Sequence, residues 1–129
     1  MAVATVIQLD DSRALRDLVR RAISQVAPHI HYRGTDRAAE AVAWMDAADH
    51  SRLLVLLDLD MPELDGFEVL RLLEAKGLLA RCRVVMFSSS TADTDRERCL
   101  ALGACQYCIK PVAWDALLTE LRRLLEPCV

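Results

Sequence analysis

Two hydrophobic periodicities alternate along the chain. Val3 to Leu9, Leu53 to Leu57 and Val84 to Phe87 are short, mostly apolar runs, stopped by Asp10-Asp11, Asp58 and Ser88-Ser89-Ser90. Leu53-Leu54-Val55-Leu56-Leu57 shows no polar alternation, which predicts a strand buried on both faces. Between the runs, apolar residues recur at helical spacing. Leu15, Leu18, Val19, Ala22, Ile23 and Val26 form one stripe behind Ser12 as N-cap and end at Pro28. His29 to Arg33 reads as a short edge strand, and Thr35 or Asp36 caps a helix facing inward through Ala38, Ala41, Val42 and Met45. After the loop Met61 to Gly66, Phe67, Val69, Leu70, Leu72 and Leu73 predict a third helix that stops at Gly77. Thr91 or Asp93 caps a fourth, which Gly103 ends. Gln106 to Ile109 reads as a fifth strand before Lys110-Pro111, and an amphipathic helix follows from about Ala113 to Leu125. Five strands alternating with five helices predict an α/β fold with a doubly wound five-stranded parallel sheet.

Composition narrows the picture. The length of 129 residues fits one domain over 1–129, and 53% hydrophobic residues suit a sheet covered on both faces. A net charge of −3 leaves no electrostatic footprint for nucleic acid. No apolar run reaches the roughly 18 residues of a membrane span. Met1 to Ile7 lacks the basic start of a signal peptide and reads as the first strand, so a cytoplasmic protein is expected. Five cysteines (Cys82, Cys99, Cys105, Cys108 and Cys128) follow no framework spacing. The Cys105-x-x-Cys108 pair lacks a second ligand pair for zinc and does not open a helix, so reduced, partly buried thiols are expected.

In such a fold the carboxyl ends of the strands share one rim, where open α/β sheets bind their ligands. That rim should collect Asp10, Asp11, Asp58, Ser88 and Lys110. Three carboxylates repel unless a cation neutralises them. A hard divalent ion fits oxygen ligands, and magnesium suits a site that keeps waters and awaits a phosphoryl group. With a serine hydroxyl and a lysine ammonium beside them, these groups make a phosphoryl-transfer site. Lys110 is one of only two lysines in an arginine-rich chain, the other being Lys76.

In its motifs the chain resembles the receiver domain of two-component response regulators, over essentially its whole length. The matching residues are Asp10-Asp11, Asp58-x-x-Met61-Pro62-x-x-Asp65-Gly66, Ser88 and Lys110-Pro111, in order and at matching elements. The resemblance implies a flavodoxin-like receiver fold and a stand-alone, chemotaxis-type regulator. Asp58 would accept a phosphoryl group from a sensor histidine kinase or phosphotransfer protein. Asp11 and Asp58 would ligate Mg²⁺ directly, Asp60 through its backbone carbonyl, and Asp10 through water. Ser88 and Lys110 would each hold a phosphoryl oxygen, and Lys110-Pro111 would be a cis peptide. Tyr107 matches an aromatic switch position that responds to Ser88. A downstream protein would read the fourth helix, fifth strand and fifth helix, with the chain a monomer or a phosphorylation-dependent dimer. Serine stands at position 88 where threonine is commoner, which removes a methyl that restricts χ1.

Blander readings exist for each residue alone. Asp10-Asp11 could cap a helix, Asp58 could be a turn residue, and Tyr107 could be an ordinary aromatic at the edge of the core. Trp44 should be core or half-buried. Trp114 either covers the start of the last helix or, if exposed, anchors a partner. Asp58-Leu59-Asp60 also mimics the D-x-D of haloacid-dehalogenase-like phosphatases, although it lies on the third strand and is followed by Met61-Pro62. A phosphorelay intermediate and a degenerate receiver are further alternatives. The ending Glu126-Pro127-Cys128-Val129 shows no linker or effector, hence the expectation of a stand-alone regulator.

Overall fold

The computed structural model describes residues 2–126. Strands β1 (Thr5–Leu9), β2 (His31–Thr35), β3 (Leu53–Leu57), β4 (Arg83–Ser88) and β5 (Gln106–Ile109) alternate with helices α1 (Arg13–Val26), α2 (Ala38–Ala47), α3 (Gly66–Ala75), α4 (Asp93–Ala101) and α5 (Trp114–Leu125). A single 3₁₀ turn, His50–Arg52, precedes β3. The strands form one sheet in the order β2-β1-β3-β4-β5, and every pairing is parallel. β3 lies at the centre with all five residues buried, as its unbroken aliphatic run requires.

Alternate residues of the strands feed two cores. On one face Val6, Leu54, Leu56, Val85 and Phe87 pack against Val19, Ala22 and Ile23 of α1 and Leu117, Leu121 and Leu124 of α5. On the other, Ile7, Val55, Leu57, Val84 and Met86 meet Val42 and Met45 of α2, Leu70 and Leu73 of α3, and Cys99 of α4. Helix α4 is the least anchored, since Cys99 is its one buried residue.

The local signals for helix ends hold in most places. Ser12 caps α1 by accepting the Leu15 N–H at 3.2 Å. Asp65 and Glu68 form a reciprocal capping box at α3. Gly77 (φ +74°) and Gly103 (φ +113°) take the left-handed conformations that end α3 and α4.

Four expectations shift. Ile30 N–H bonds the Ala27 carbonyl in a turn through Pro28, so β2 begins at His31 rather than His29. β1 begins at Thr5, although Val3 is buried against α1 and α5. Neither Thr91 nor Asp93 caps α4: its first residue follows Ala92, and the Ser90 hydroxyl takes the Ala92 N–H at 3.3 Å. Nor does Thr35 or Asp36 cap α2: its N-cap is Arg37, without a side-chain cap bond, although the Thr35 hydroxyl accepts the Arg37 N–H and donates to Glu40. Trp44 is half-buried under the Arg33 guanidinium, 4.0 Å from its ring centre, whereas Trp114 is 39% exposed. Cys82, Cys99 and Cys108 are buried free thiols and Cys105 is exposed; Cys108 sits inside β5, not at a helix start. Met1, assigned to the first strand, and Cys128 lie outside the described residues.

Candidate functional site

Backbone bonds carry the sheet ladder one residue past the strand ends and so fix the chemistry-bearing positions. Asp10 N–H bonds the Thr35 carbonyl, Asp58 N–H bonds that of Leu9, and Lys110 N–H bonds that of Ser88, at 2.8–3.0 Å. Asp10 and Asp58 are buried (1% and 3% exposed), whereas Asp11 is exposed. Carboxylate oxygens of all three lie within 4.8 Å of one another. Lys110 Nζ reaches into this group, 2.9 Å from Asp10 Oδ2 and 3.1 Å from Asp58 Oδ1.

One ammonium does not balance three carboxylates. Burial, then the charge of Asp10, pushes the Asp58 carboxyl up to about 6, with Lys110 pulling the other way. The Lys110 ammonium sits above its ordinary value: burial opposes its charge, but the bond and attraction to Asp10, then Asp58, outweigh burial. Asp10 is held independently, its Oδ1 accepting the Ser12 N–H at 2.8 Å. Arg16 donates to the Asp10 carbonyl at 2.6 Å, a contact that nothing in the sequence pattern announced. The Arg16 carbonyl in turn accepts the Tyr32 hydroxyl.

Gly66 sets the floor of the site. A Cβ there would lie 2.7 Å from the Asp58 carbonyl oxygen and 2.7 Å from Leu59 Cα, so only glycine lets α3 start this close to the end of β3. A cleft of about 600 Å³, lined by Asp11, Arg37, Met61 and Pro62 among others, opens beside the exposed carboxylate. The donor set of two buried carboxylates and one exposed carboxylate, carrying surplus negative charge, fits a hard divalent cation with oxygen ligands.

The remaining expected residues are placed unevenly. Ser88 is fully buried, and its hydroxyl oxygen accepts the Ser90 N–H at 3.2 Å. Tyr107 is half-buried against the α2–α3–α4 core, its hydroxyl donating to the Ser90 carbonyl at 2.9 Å. Asp60 is exposed, and its carboxylate is not part of the acidic cluster among the described residues. That removes the second acid that a D-x-D phosphatase needs beside its nucleophile. The expected cis Lys110-Pro111 bond is not found, since no cis peptide occurs among the described residues. The trans form is the intrinsic preference by about 0.5–1 kcal/mol, and it already delivers the ammonium to both carboxylates.

Known proteins agree with this architecture. The sequence matches the Response regulator receiver domain over residues 6–122. Response regulator MprA of Mycobacterium sp. (strain KMS) is 31% identical over 121 residues, covering 93% of this chain and 50% of the relative. The nitrate/nitrite response regulator protein NarL of Escherichia coli (strain K12) is 34% identical over 121 residues, covering 93% and 54%. The chain spans about half the length of these relatives. In structure it is similar to the phosphorylated cyanobacterial phytochrome response regulator RcpA. That match has a TM-score of 0.82 and 25% identity, over 99% of this chain and 98% of the other. No helix among the described residues is long and apolar enough to cross a membrane. With its parallel five-stranded sheet and acidic rim, this chain belongs to the receiver domains of two-component response regulators.

Proposed function

We propose that Asp58 is the phosphoacceptor and that the chain is a switch whose output is a change of surface. The observation that carries this reading is the buried Asp58 carboxylate, 3.1 Å from Lys110 Nζ and flanked by Asp10 and Asp11. A carboxylate oxygen of Asp58 attacks phosphorus of a phosphohistidine. The P–N bond breaks, the imidazole leaves with its electron pair and takes up a proton, and an acyl phosphate forms. Water later hydrolyses that acyl phosphate and regenerates the carboxylate. The domain thus promotes only its own phosphorylation and dephosphorylation, as a switch rather than a multiple-turnover enzyme.

Receiver domains bind a divalent metal at such an acidic cluster, and magnesium is the proposed ion. Asp11 and Asp58 would hold it directly, the Asp60 carbonyl would complete the protein ligands, and Asp10 would act through water. When bound, it neutralises charge on the phosphoryl oxygens. Lys110 supplies a compact ammonium to one of those oxygens and Ser88 a hydroxyl to another. The donor is a sensor histidine kinase or a phosphotransfer protein. The downstream surface is α4, β5 and α5, where Ile109, Val112 and Trp114 are exposed beside a cleft of about 850 Å³.

Incubation with magnesium and acetyl phosphate, followed by mapping of the adduct, tests the assignment. One labile phosphoryl group on Asp58, absent in Asp58→Asn, is expected. Full labelling of Asp58→Asn would overturn it, with Asp60 the next site to examine.

A further inference from the structure

The loop between β4 and α4 concentrates its hydrogen bonds on one residue. Ser90 gives its N–H to the Ser88 hydroxyl oxygen at 3.2 Å. Its carbonyl accepts the Tyr107 hydroxyl at 2.9 Å. Its own hydroxyl donates to Asp95 Oδ2 at 2.7 Å and accepts the Ala92 N–H at 3.3 Å. Every polar group of Ser90 is therefore used, and its partners sit on three elements: the end of β4, β5 and the first turn of α4.

The pattern answers a deficit in the chain. A serine at position 88 lacks the second Cβ substituent that would confine its χ1. The Ser90 N–H occupies one lone pair of the Ser88 oxygen and confines it from outside. That restraint is only as firm as Ser90 itself. Helix α4 buries Cys99 alone, and its N-cap Ala92 offers no side-chain acceptor, so Asp95 is what ties Ser90 to the helix.

We propose that Ser90, clamped between Asp95 and Tyr107, is a positioning residue that fixes the rotamer of the Ser88 hydroxyl, with Asp95 as its anchor. The inference rests on the reading of Asp58 and Ser88 given above. It makes the seating of α4 and the aim of the hydroxyl parts of one hydrogen-bonded unit. An intact clamp holds Ser88 in one staggered well, and a broken one lets it share its time among three.

Asp95→Ala breaks the anchor at a half-buried position on a weakly packed helix, so folding should survive. Asp93→Ala is the control, because it removes the same first-turn charge from a residue outside the clamp. With acetyl phosphate and magnesium, Asp95→Ala should phosphorylate Asp58 about threefold more slowly, the weight of three staggered wells against one. Asp93→Ala should match wild type. The Hα–Hβ couplings of Ser88 in the metal-free, unphosphorylated protein should average in Asp95→Ala and remain those of a single rotamer in Asp93→Ala. In a Ser88→Thr background the added methyl confines χ1, so Asp95→Ala should cost nothing further there. Equal rates and couplings in the two aspartate variants would overturn the clamp, as would an undiminished loss in the Ser88→Thr background. If wild type itself takes no phosphoryl group at Asp58, the function reading fails instead, and the Ser88 couplings still decide whether the clamp exists.

Discussion

The buried Asp58 carboxylate should make the metal-free protein less stable, and Asp58→Asn should reverse this. The folded carboxyl titrates at about 6 against an ordinary value of 3.8, because burial and then Asp10 outweigh the pull of Lys110. At roughly 1.4 kcal/mol per pH unit, ionising Asp58 costs the folded state about 3 kcal/mol relative to the unfolded chain. Between those two values the folded protein holds a proton that the unfolded chain has released, so stability falls as pH rises across the window. Above it the full cost is present. Asparagine carries no charge, and Lys110 keeps its contact with Asp10 at 2.9 Å. In EDTA near pH 7.5, urea unfolding should therefore find Asp58→Asn more stable than wild type by about 1–3 kcal/mol. Near pH 5 the advantage should shrink by about 1 kcal/mol, because wild type has by then taken up most of its proton. Magnesium should raise the stability of wild type more than that of the variant, by mass action on the folded state. An Asp58→Asn protein less stable than wild type at neutral pH, or an advantage that does not change with pH, would refute the reasoning.

Other substitutions separate the remaining parts of the site. Gly66→Ala forces a Cβ to within 2.7 Å of backbone at Asp58 and Leu59, and should cost about 1–3 kcal/mol in urea unfolding while slowing phosphorylation. Asp11→Ala should weaken magnesium binding in a direct titration more than Asp10→Ala does, because the Asp11 carboxylate is exposed and Asp10 already serves Lys110 and Ser12. Lys110→Arg should accept a phosphoryl group yet bind the downstream partner poorly, since a planar fork replaces a compact donor. Ser88→Ala should still be phosphorylated but lose the beryllofluoride-induced shift of the Tyr107 ring in proton NMR. An identical shift in wild type and variant would disconnect the two residues.

The central strand and the site it carries were legible because both rest on strong, local rules. An unbroken aliphatic run such as Leu53–Leu57 has nowhere to go but a doubly covered strand, and the carboxylate that stops it must then stand on the binding rim. Lys110 was legible for the same reason, with its scarcity as a second sign. What stayed hidden depends on choices among near-equivalent groups. Ser88, Ser89, Ser90, Thr91 and Asp93 all offer cap chemistry, and only the path of the chain leaving β4 makes Ala92 the N-cap and sets Ser90 against Ala92 N–H and Asp95. The part played by Arg16 left no mark in the pattern, because its contact is with a backbone carbonyl that sequence does not display. The start of β2 moved by two residues because the turn at Pro28 reaches Ile30, and a partly polar edge segment gives no apolar period to mark its boundary. The peptide before Pro111 followed intrinsic preference rather than family expectation.

The order of the strands along the chain gives the site a history as well as a place. Asp10 and Asp11 follow the first strand and Asp58 the third, whereas Lys110 follows the fifth, which lies at the sheet's edge beside β4. A chain folding from its N-terminus as it is synthesised can bring the acids together before their counter-charge exists. Until then the acidic rim strains the half-built sheet, and bound protons or dissolved cations relieve it. Docking of the last strand closes the hydrophobic edge and delivers the ammonium in one event. Completion of the fold and delivery of the counter-charge are thus the same step, and an immature chain should carry an Asp58 that is present but without its ammonium.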